Sequence, residues 1–202
     1  MDLKFEPIIK TYQDEHILMS IDSIRYLDQA IEATGSSTLV FGDVLNVMNI
    51  KRIVQATHSA GKMAFIDMDL VRGIDNDVYA VKFLLNEVKA DGIITRHRNV
   101  INEAQNHVWC VLKTFLYDLI SLDLAIGNIE KCRPHAIDIL PGGSFPFVYQ
   151  RLRDVTDAYI GIAGFYDDSE ESVNTLIQSG VDVIYTRNRN LWNGLSMGDD
   201  KK

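Results

Sequence analysis

The chain has 202 residues, of which 47% are hydrophobic and 24% are charged, a composition typical of one globular domain over residues 1–202 rather than a disordered or fibrous chain. Its apolar runs are too short to cross a bilayer and its first residues form no apolar signal region, so we expect a cytoplasmic protein with no membrane partner. The formal net charge of −8 disfavours broad attraction to nucleic acid, and any RNA contact therefore needs a local basic patch.

Eight short apolar segments rich in β-branched residues follow one another along the chain and predict strands. They cover residues 17–21, 38–41, 63–68, 92–95, 111–115, 136–140, 159–162 and 181–185. Segments with apolar residues at helical spacing separate nearly every pair, Gly61 and Gly180 follow two of these helices, and Ser169 suits the start of another. Alternating strands and helices predict a parallel sheet, and eight strands favour a closed barrel over an open sheet.

The predicted fold class is therefore α/β, a TIM-type (β/α)8 barrel. Because such barrels typically have about 250 residues, some helices must be short or missing here. The last helix has only residues 189–194 available, and the polar end from about residue 195 to residue 202 predicts a disordered tail.

The segments that follow the seventh and eighth strands have the composition of a phosphate-binding cradle. In TIM barrels these loops commonly hold phosphate through backbone N–H groups and a helix N-terminus. Ala163 and Gly164 follow the seventh strand, and Thr186, Arg187 and Asn188 follow the eighth. The alternative is that Gly164 is only a turn glycine and that residues 186–189 form an ordinary polar cap.

Charged residues concentrate at the predicted carboxyl ends of the strands. The basic ones are Arg72, Arg96, His97, Arg98, Arg187 and Arg189, with Lys113 inside a strand, and the acidic ones are Asp43, Asp67, Asp69, Asp118 and Asp138. The bases predict positive potential at one mouth of the barrel, although some of them could only pair with these acids.

Strand alternation places Asp67 and Asp69 on one face, where they could hold a metal, work as an acid–base pair, or cap a loop. The sequence contains no metal-ligand spacing of Cys and His and no nucleophile motif, so we expect no metal site, no catalytic residues and two structural cysteines, Cys110 and Cys132.

Five motifs together resemble the glycerol uptake operon antiterminator regulatory proteins. They are residues 66–74 (IDMDLVRGI), 91–96 (DGIITR), 138–142 (DILPG), 162–165 (IAGF) and 186–188 (TRN), followed by Leu191 and Trp192. They occur in the family's order over roughly residues 15–193. Two departures are apparent, since Ala163-Gly164 stands where the family has two glycines and Tyr166-Asp167-Asp168 where it has a base. A negative charge beside a phosphate would weaken its binding by about 1 kcal/mol or more.

The resemblance implies a regulator that senses glycerol 3-phosphate and acts on the leader mRNA of glycerol-utilisation genes to promote transcription antitermination. It implies no cofactor besides this effector. The expected partners are the small phosphorylated effector and leader mRNA, with a homo-oligomer left open. The alternative is an enzyme that handles phosphosugars or triose phosphates on the same barrel. The residues assigned to ligand binding are Asp69, Arg72, Gly73, Arg96, Lys113, Asp138, Gly142, Ala163, Gly164, Thr186, Arg187 and Asn188.

Overall fold

The computed structural model describes residues 3–195 and shows a closed barrel of eight parallel strands. Each strand pairs with the next, and the last pairs with the first through the register Met19 to Thr186. The strands are β1 (Ile17–Ile21), β2 (Thr38–Phe41), β3 (Met63–Asp67), β4 (Gly92–Thr95), β5 (Trp109–Phe115), β6 (Ala136–Leu140), β7 (Tyr159–Ala163) and β8 (Val183–Thr186). The predicted TIM-type barrel is confirmed. The predicted tail lies outside the described residues from residue 196 onward.

The helices around the barrel are short, as the chain length requires. They are α1 (Glu6–Lys10), α2 (Leu27–Glu32), α3 (Ile50–Ser59), α4 (Val78–Phe83), α5 (Arg98–Ala104), α6 (Leu119–Cys132), α7 (Phe145–Arg153) and α8 (Glu170–Gln178). Ser169 caps α8 by accepting a hydrogen bond from Ser172 N–H, and Gly61 and Gly180 have the positive φ that ends α3 and α8. Of the described helices, none is long and apolar enough to cross a membrane. Within residues 3–195, the only helical element after β8 is a 3₁₀ turn, Arg189–Leu191.

Strand alternation divides the buried residues into two cores. Ile17, Leu39, Ile93 and similar residues face outward and pack against the helices, whereas the other face of each strand fills the barrel. The barrel interior is closed at the amino-terminal end of the strands by α1 and the π-helical turn Thr11–Glu15, whose Tyr12 lies against Trp109. The opposite end, where the strands finish, stays open for a ligand.

Five predicted strand boundaries were wrong. β7 and β8 each end one residue later than predicted, at Ala163 and Thr186. β5 begins at Trp109 rather than at residue 111, because Trp109 pairs with Gly92 and fills the bottom of the barrel. β3 stops at Asp67, since Met68–Leu70 turns into a 3₁₀ helix. β8 begins at Val183, because the N–H of Val181 instead donates to Leu176 O at the end of α8.

Candidate ligand-binding site at the barrel mouth

A cavity of about 500 Å³ opens at the carboxyl ends of the strands. This volume lies within the range of small-molecule sites. Its floor consists of side chains that point into the barrel from adjacent strands, and its rim consists of the loops after β2, β7 and β8. The floor residues include Ser20, Val40, Asp67, Ile94, Lys113, Asp138 and Tyr185.

A buried ion-pair cluster occupies one side of the floor. Lys113 Nζ lies 2.6 and 2.7 Å from the two carboxylate oxygens of Asp67 and 3.1 Å from Asp69 Oδ2. Asp69 also accepts hydrogen bonds from Thr95 Oγ1 at 2.6 Å and from the N–H of Arg96 at 3.0 Å. Burial raises the pKa of Asp67, and Lys113 counteracts part of that shift. The cluster therefore keeps one ammonium fixed at the floor.

Asp138 faces this cluster from β6 and is 4% exposed. Its Oδ1 lines the barrel interior with no hydrogen-bond partner among the described residues. Burial raises the pKa of Asp138 well above its usual range, and the charge of Asp67 adds to the effect while Lys113 opposes it. A carboxyl group kept neutral in this way can donate a hydrogen bond as well as accept one. It is a polar group that a ligand can satisfy.

The β7 loop has an unusual backbone at the rim. Gly164 and Phe165 have φ values of 58° and 51°, and Phe165 is 92% exposed. Their carbonyl oxygens accept hydrogen bonds from Gly142 N–H at 2.7 Å and Gly143 N–H at 3.1 Å in the β6 loop. Since the C=O and N–H of a trans peptide point in opposite directions, the N–H groups of Phe165 and Tyr166 face away from the β6 loop. Within residues 3–195, neither N–H has a hydrogen-bond acceptor.

The β8 loop contributes Arg187, an exposed guanidinium at the rim of the cavity. Asn188 fixes this loop by donating through Nδ2 to Asp168 O at 3.1 Å, and its Oδ1 accepts from Asn190 N–H. Asp43 and Asp168 also line the rim and are exposed. The rim is therefore mixed in charge, with acidic and basic side chains together, as the acids and bases predicted at the strand ends allow.

Five of the twelve residues predicted to bind ligand line the cavity, namely Lys113, Asp138, Ala163, Gly164 and Arg187. Seven do not line it. Asp69 supports Lys113 from the side, Arg72 and Gly73 lie in a surface bridge with the β2 loop, and Arg96 is exposed beyond β4. The remaining three have other contacts: the N–H of Gly142 donates to Gly164 O, Thr186 Oγ1 accepts from Asn188 N–H, and Asn188 caps the following turn.

Two expectations about the acidic residues were wrong. Asp67 and Asp69 do not share a strand face, because β3 ends at Asp67, and they meet instead through Lys113. Asp118 does not line the cavity. It caps α6 by accepting from the N–H of Ser121 at 2.7 Å, and that bond lowers its pKa. Over the part of the chain that the structure describes, no three His, Cys, Asp or Glu side chains form a metal-binding group.

Two tyrosines of the site were not predicted from the sequence. Tyr185 points into the barrel from β8, and its buried hydroxyl has no partner within the described chain. Tyr166 bonds through its hydroxyl to Tyr185 O at 2.9 Å and joins the β7 loop to β8. Strand alternation could have indicated Tyr185, because it lies two residues after Val183 and side chains two residues apart in a strand point to the same face.

The fold and site together define a TIM-type barrel with an open cavity at its mouth, where the last two loops present an arginine and backbone amides that have no acceptor among the described residues. Residues 17–192 match the family described as glycerol-3-phosphate responsive antiterminator, and the chain belongs to that family.

Three relatives are similar over nearly their whole length. The uncharacterized protein YgcP of Escherichia coli (strain K12) is 28% identical over 192 residues, which cover 92% of this chain and 96% of YgcP. The crystal structure of the glycerol uptake operon antiterminator regulatory protein from Listeria monocytogenes has a TM-score of 0.83 at 28% identity and covers 90% of this chain and 97% of that one. A glycerol uptake operon antiterminator-related protein from Thermotoga maritima has a TM-score of 0.76 at 25% identity, with coverage of 87% and 96%.

Proposed function

We propose that this chain senses glycerol 3-phosphate in the mouth cavity and, in the liganded state, acts on the leader mRNA of glycerol-utilisation genes. One observation carries the proposal: Arg187 lies at the same rim of the cavity as Phe165 and Tyr166, whose N–H groups have no hydrogen-bond acceptor within residues 3–195. The floor of this cavity is polar. This rim suits a dianionic group, and the floor suits hydroxyl groups.

The phosphate is assigned to the rim because the donors there have no acceptor of their own. A guanidinium can bind a phosphate through two parallel N–H groups, and backbone N–H groups add neutral donors in fixed positions. Gly164 keeps the approach open, since a Cβ built on it has nothing within 4 Å. Asp168 counts against affinity, because its carboxylate lines the same rim.

The glycerol end is assigned to the floor because the groups there bind hydroxyls by both donation and acceptance. Lys113 Nζ donates, the Asp67 carboxylate accepts, and the Asp138 carboxyl accepts or, in the protonated form that burial favours, also donates. Glycerol 3-phosphate has two hydroxyls within reach of its phosphate, so it can use rim and floor together. A simple phosphate cannot.

The action on RNA rests on the family to which the chain belongs. The similar protein from Listeria monocytogenes is named a glycerol uptake operon antiterminator regulatory protein, and the match covers 90% of this chain. An effector that binds at the mouth can alter the surrounding loops, which are the parts of the barrel free to contact a partner.

The enzyme alternative is less well supported, because the floor holds its lysine as an ion-paired ammonium. A lysine that attacks a carbonyl needs an amine free to reach it, whereas Lys113 Nζ is held by two carboxylates within 3.1 Å. We therefore assign Lys113 to binding. Turnover of triose or glycerol phosphates that disappears in Asp69→Ala would favour the enzyme.

Isothermal titration with glycerol 3-phosphate, glycerol and inorganic phosphate tests the sensing step. We expect glycerol 3-phosphate to bind more tightly than either fragment, and Arg187→Ala to weaken it at least tenfold, as about 1.5–3 kcal/mol for a charged hydrogen bond implies. Arg52→Ala is the matched control, since Arg52 is exposed on α3 away from the cavity. Equal glycerol 3-phosphate affinity of the Arg187→Ala and Arg52→Ala variants would contradict the assigned phosphate site.

A gel shift with glycerol-operon leader RNA, measured with and without glycerol 3-phosphate, tests the action on RNA. We expect a shift that needs glycerol 3-phosphate, and no shift in either condition contradicts the RNA step.

A further inference from the structure

The loops around the mouth form a mainly basic arc and an acidic arc, and the loop after β2, which lies within the basic arc, carries Asp43 and no Lys or Arg. The loops after β8, β1, β3 and β4, extended by the first residue of α5, carry six arginines, and none of these has a carboxylate within 4.0 Å among the described residues. They are Arg25, Arg72, Arg96, Arg98, Arg187 and Arg189. The loops after β5, β6 and β7 contain no Lys or Arg and lead instead to Asp118, Asp167, Asp168, Glu170 and Glu171. One side of the face therefore offers unneutralised cations.

Two of these arginines stack on a single tyrosine. The Cζ of Arg25 lies 4.5 Å from the centre of the Tyr26 ring, and the Cζ of Arg189 lies 4.1 Å from it. Tyr26 is half-buried and packs against the outer core, which fixes the ring between β1 and the turn after β8. We call Arg25, Tyr26 and Arg189 the arginine clamp.

The clamp leaves its hydrogen-bonding capacity unused. A guanidinium stacked on a ring through its face keeps its N–H groups directed sideways, and within residues 3–195 no oxygen accepts from Arg25 or Arg189. Two guanidinium groups over one ring bring two positive charges close together, and neither has a neutralising carboxylate within 4.0 Å among the described residues. Asp22 and Asp28 lie nearby in sequence, but neither pairs with Arg25.

We propose that the arginine clamp binds the phosphate backbone of the RNA partner. This inference rests on the proposed function for the identity of the partner. Both arginines are exposed on an open surface outside the mouth cavity, which fits a long polyanion better than a small metabolite. The acidic arc repels RNA from the opposite side and so restricts the side of the barrel on which it lies.

The clamp is also connected to the effector site. Arg189 is two residues after Arg187, and the intervening Asn188 ties this segment to the β7 loop through its bond to Asp168 O. A phosphate held between the β7 loop and Arg187 restrains the segment that positions Arg189 over Tyr26. Occupation of the cavity thereby favours the clamp geometry, and RNA binding must favour effector binding by the same factor.

The test measures RNA affinity of the double variant Arg25→Ala/Arg189→Ala with saturating glycerol 3-phosphate across a series of salt concentrations. The probe is a fluorescent transcript of the glycerol-operon leader, with a scrambled transcript of equal length as competitor. The matched control is Lys131→Ala/Arg151→Ala, which removes the same charge from the outer ends of α6 and α7. Glycerol 3-phosphate affinity of each variant is measured by titration calorimetry.

We expect the clamp variant to lose at least tenfold in RNA affinity at about 0.1 M salt while its glycerol 3-phosphate affinity stays within about twofold of wild type. The slope of log affinity against log salt should fall by about 1.4, the value for two lost contacts to single-stranded RNA. Unchanged affinity and slope in the clamp variant, or an equal loss in the control, overturn the inference while leaving the proposed function in place. Failure of the wild-type protein to bind the leader overturns both.

Discussion

Replacing Lys113 with methionine removes the ammonium group that lies between two buried carboxylates. The side chains of Lys113, Asp67 and Asp69 are 7%, 14% and 8% exposed. Removing one partner of such a buried pair costs about 3–5 kcal/mol, because the remaining charges stay out of water without compensation. Asp69 keeps its bonds from Thr95 and the N–H of Arg96, so we expect the lower end, about 3 kcal/mol.

The loss should depend on pH in a defined direction. Without Lys113, the pKa of Asp67 rises further above its unfolded value, so the folded variant binds more protons than the unfolded chain between those two pKa values. The free energy of unfolding of Lys113→Met therefore falls as pH rises through that interval. Acidification from neutral pH should make the difference in free energy of unfolding between Lys113→Met and the wild-type protein smaller. Urea unfolding followed by circular dichroism at two pH values measures both quantities.

Lys51→Met is the matched control, because it breaks the Lys51–Glu87 pair, whose side chains are 53% and 60% exposed. Such a surface pair contributes roughly 0.2–1 kcal/mol. A Lys113→Met protein that loses no more stability than Lys51→Met at neutral pH would refute the view that the floor is a buried, charged cluster. The double variant Lys113→Met/Asp67→Asn should recover part of the loss, since it removes one of the unpaired carboxylates.

Three further changes test the rim and the floor. Gly164→Ala should lower the free energy of unfolding in urea by about 1 kcal/mol, since φ is 58° at this residue. Gly127→Ala in α6, where the added Cβ has nothing within 4 Å, should raise it by about 0.5–1 kcal/mol. Equal effects of the two substitutions would contradict the backbone argument. Asp168→Asn should tighten glycerol 3-phosphate binding about two- to fivefold in calorimetry, and unchanged affinity would place the phosphate elsewhere. Because burial raises the pKa of Asp138, its neutral form is lost as pH rises through that raised pKa. Wild-type affinity for glycerol 3-phosphate should therefore fall over that interval, while the affinity of Asp138→Asn stays constant; parallel profiles would exclude Asp138 from the effect.

The barrel was predictable from sequence because its strands are separate apolar segments with helices between them. The inward position of Lys113 also follows from alternation with Val111, since side chains in a strand point to opposite faces in turn. Strand ends were less predictable. Tyr185 rather than Thr186 points into the barrel, and an offset of one residue decides which of the two reaches the cavity.

Loop-to-loop contacts account for the part of the site that could not be predicted. The N–H of Gly142 donates to Gly164 O, which is 22 residues away, and only the folded geometry brings the two loops together. Asp69 lies beyond the end of β3, yet it reaches Lys113 from the 3₁₀ turn that follows this strand. Composition and spacing carry no signal for either contact.

The most direct test of the account follows backbone amides by ¹H–¹⁵N NMR while glycerol 3-phosphate is added, with glycerol as the reference ligand. Phosphate-dependent shifts at Gly164, Phe165, Tyr166 and Arg187, absent with glycerol, are the predicted result, because these residues form the rim assigned to the dianion. Shifts confined to other parts of the barrel, or the same shifts with glycerol alone, would contradict it.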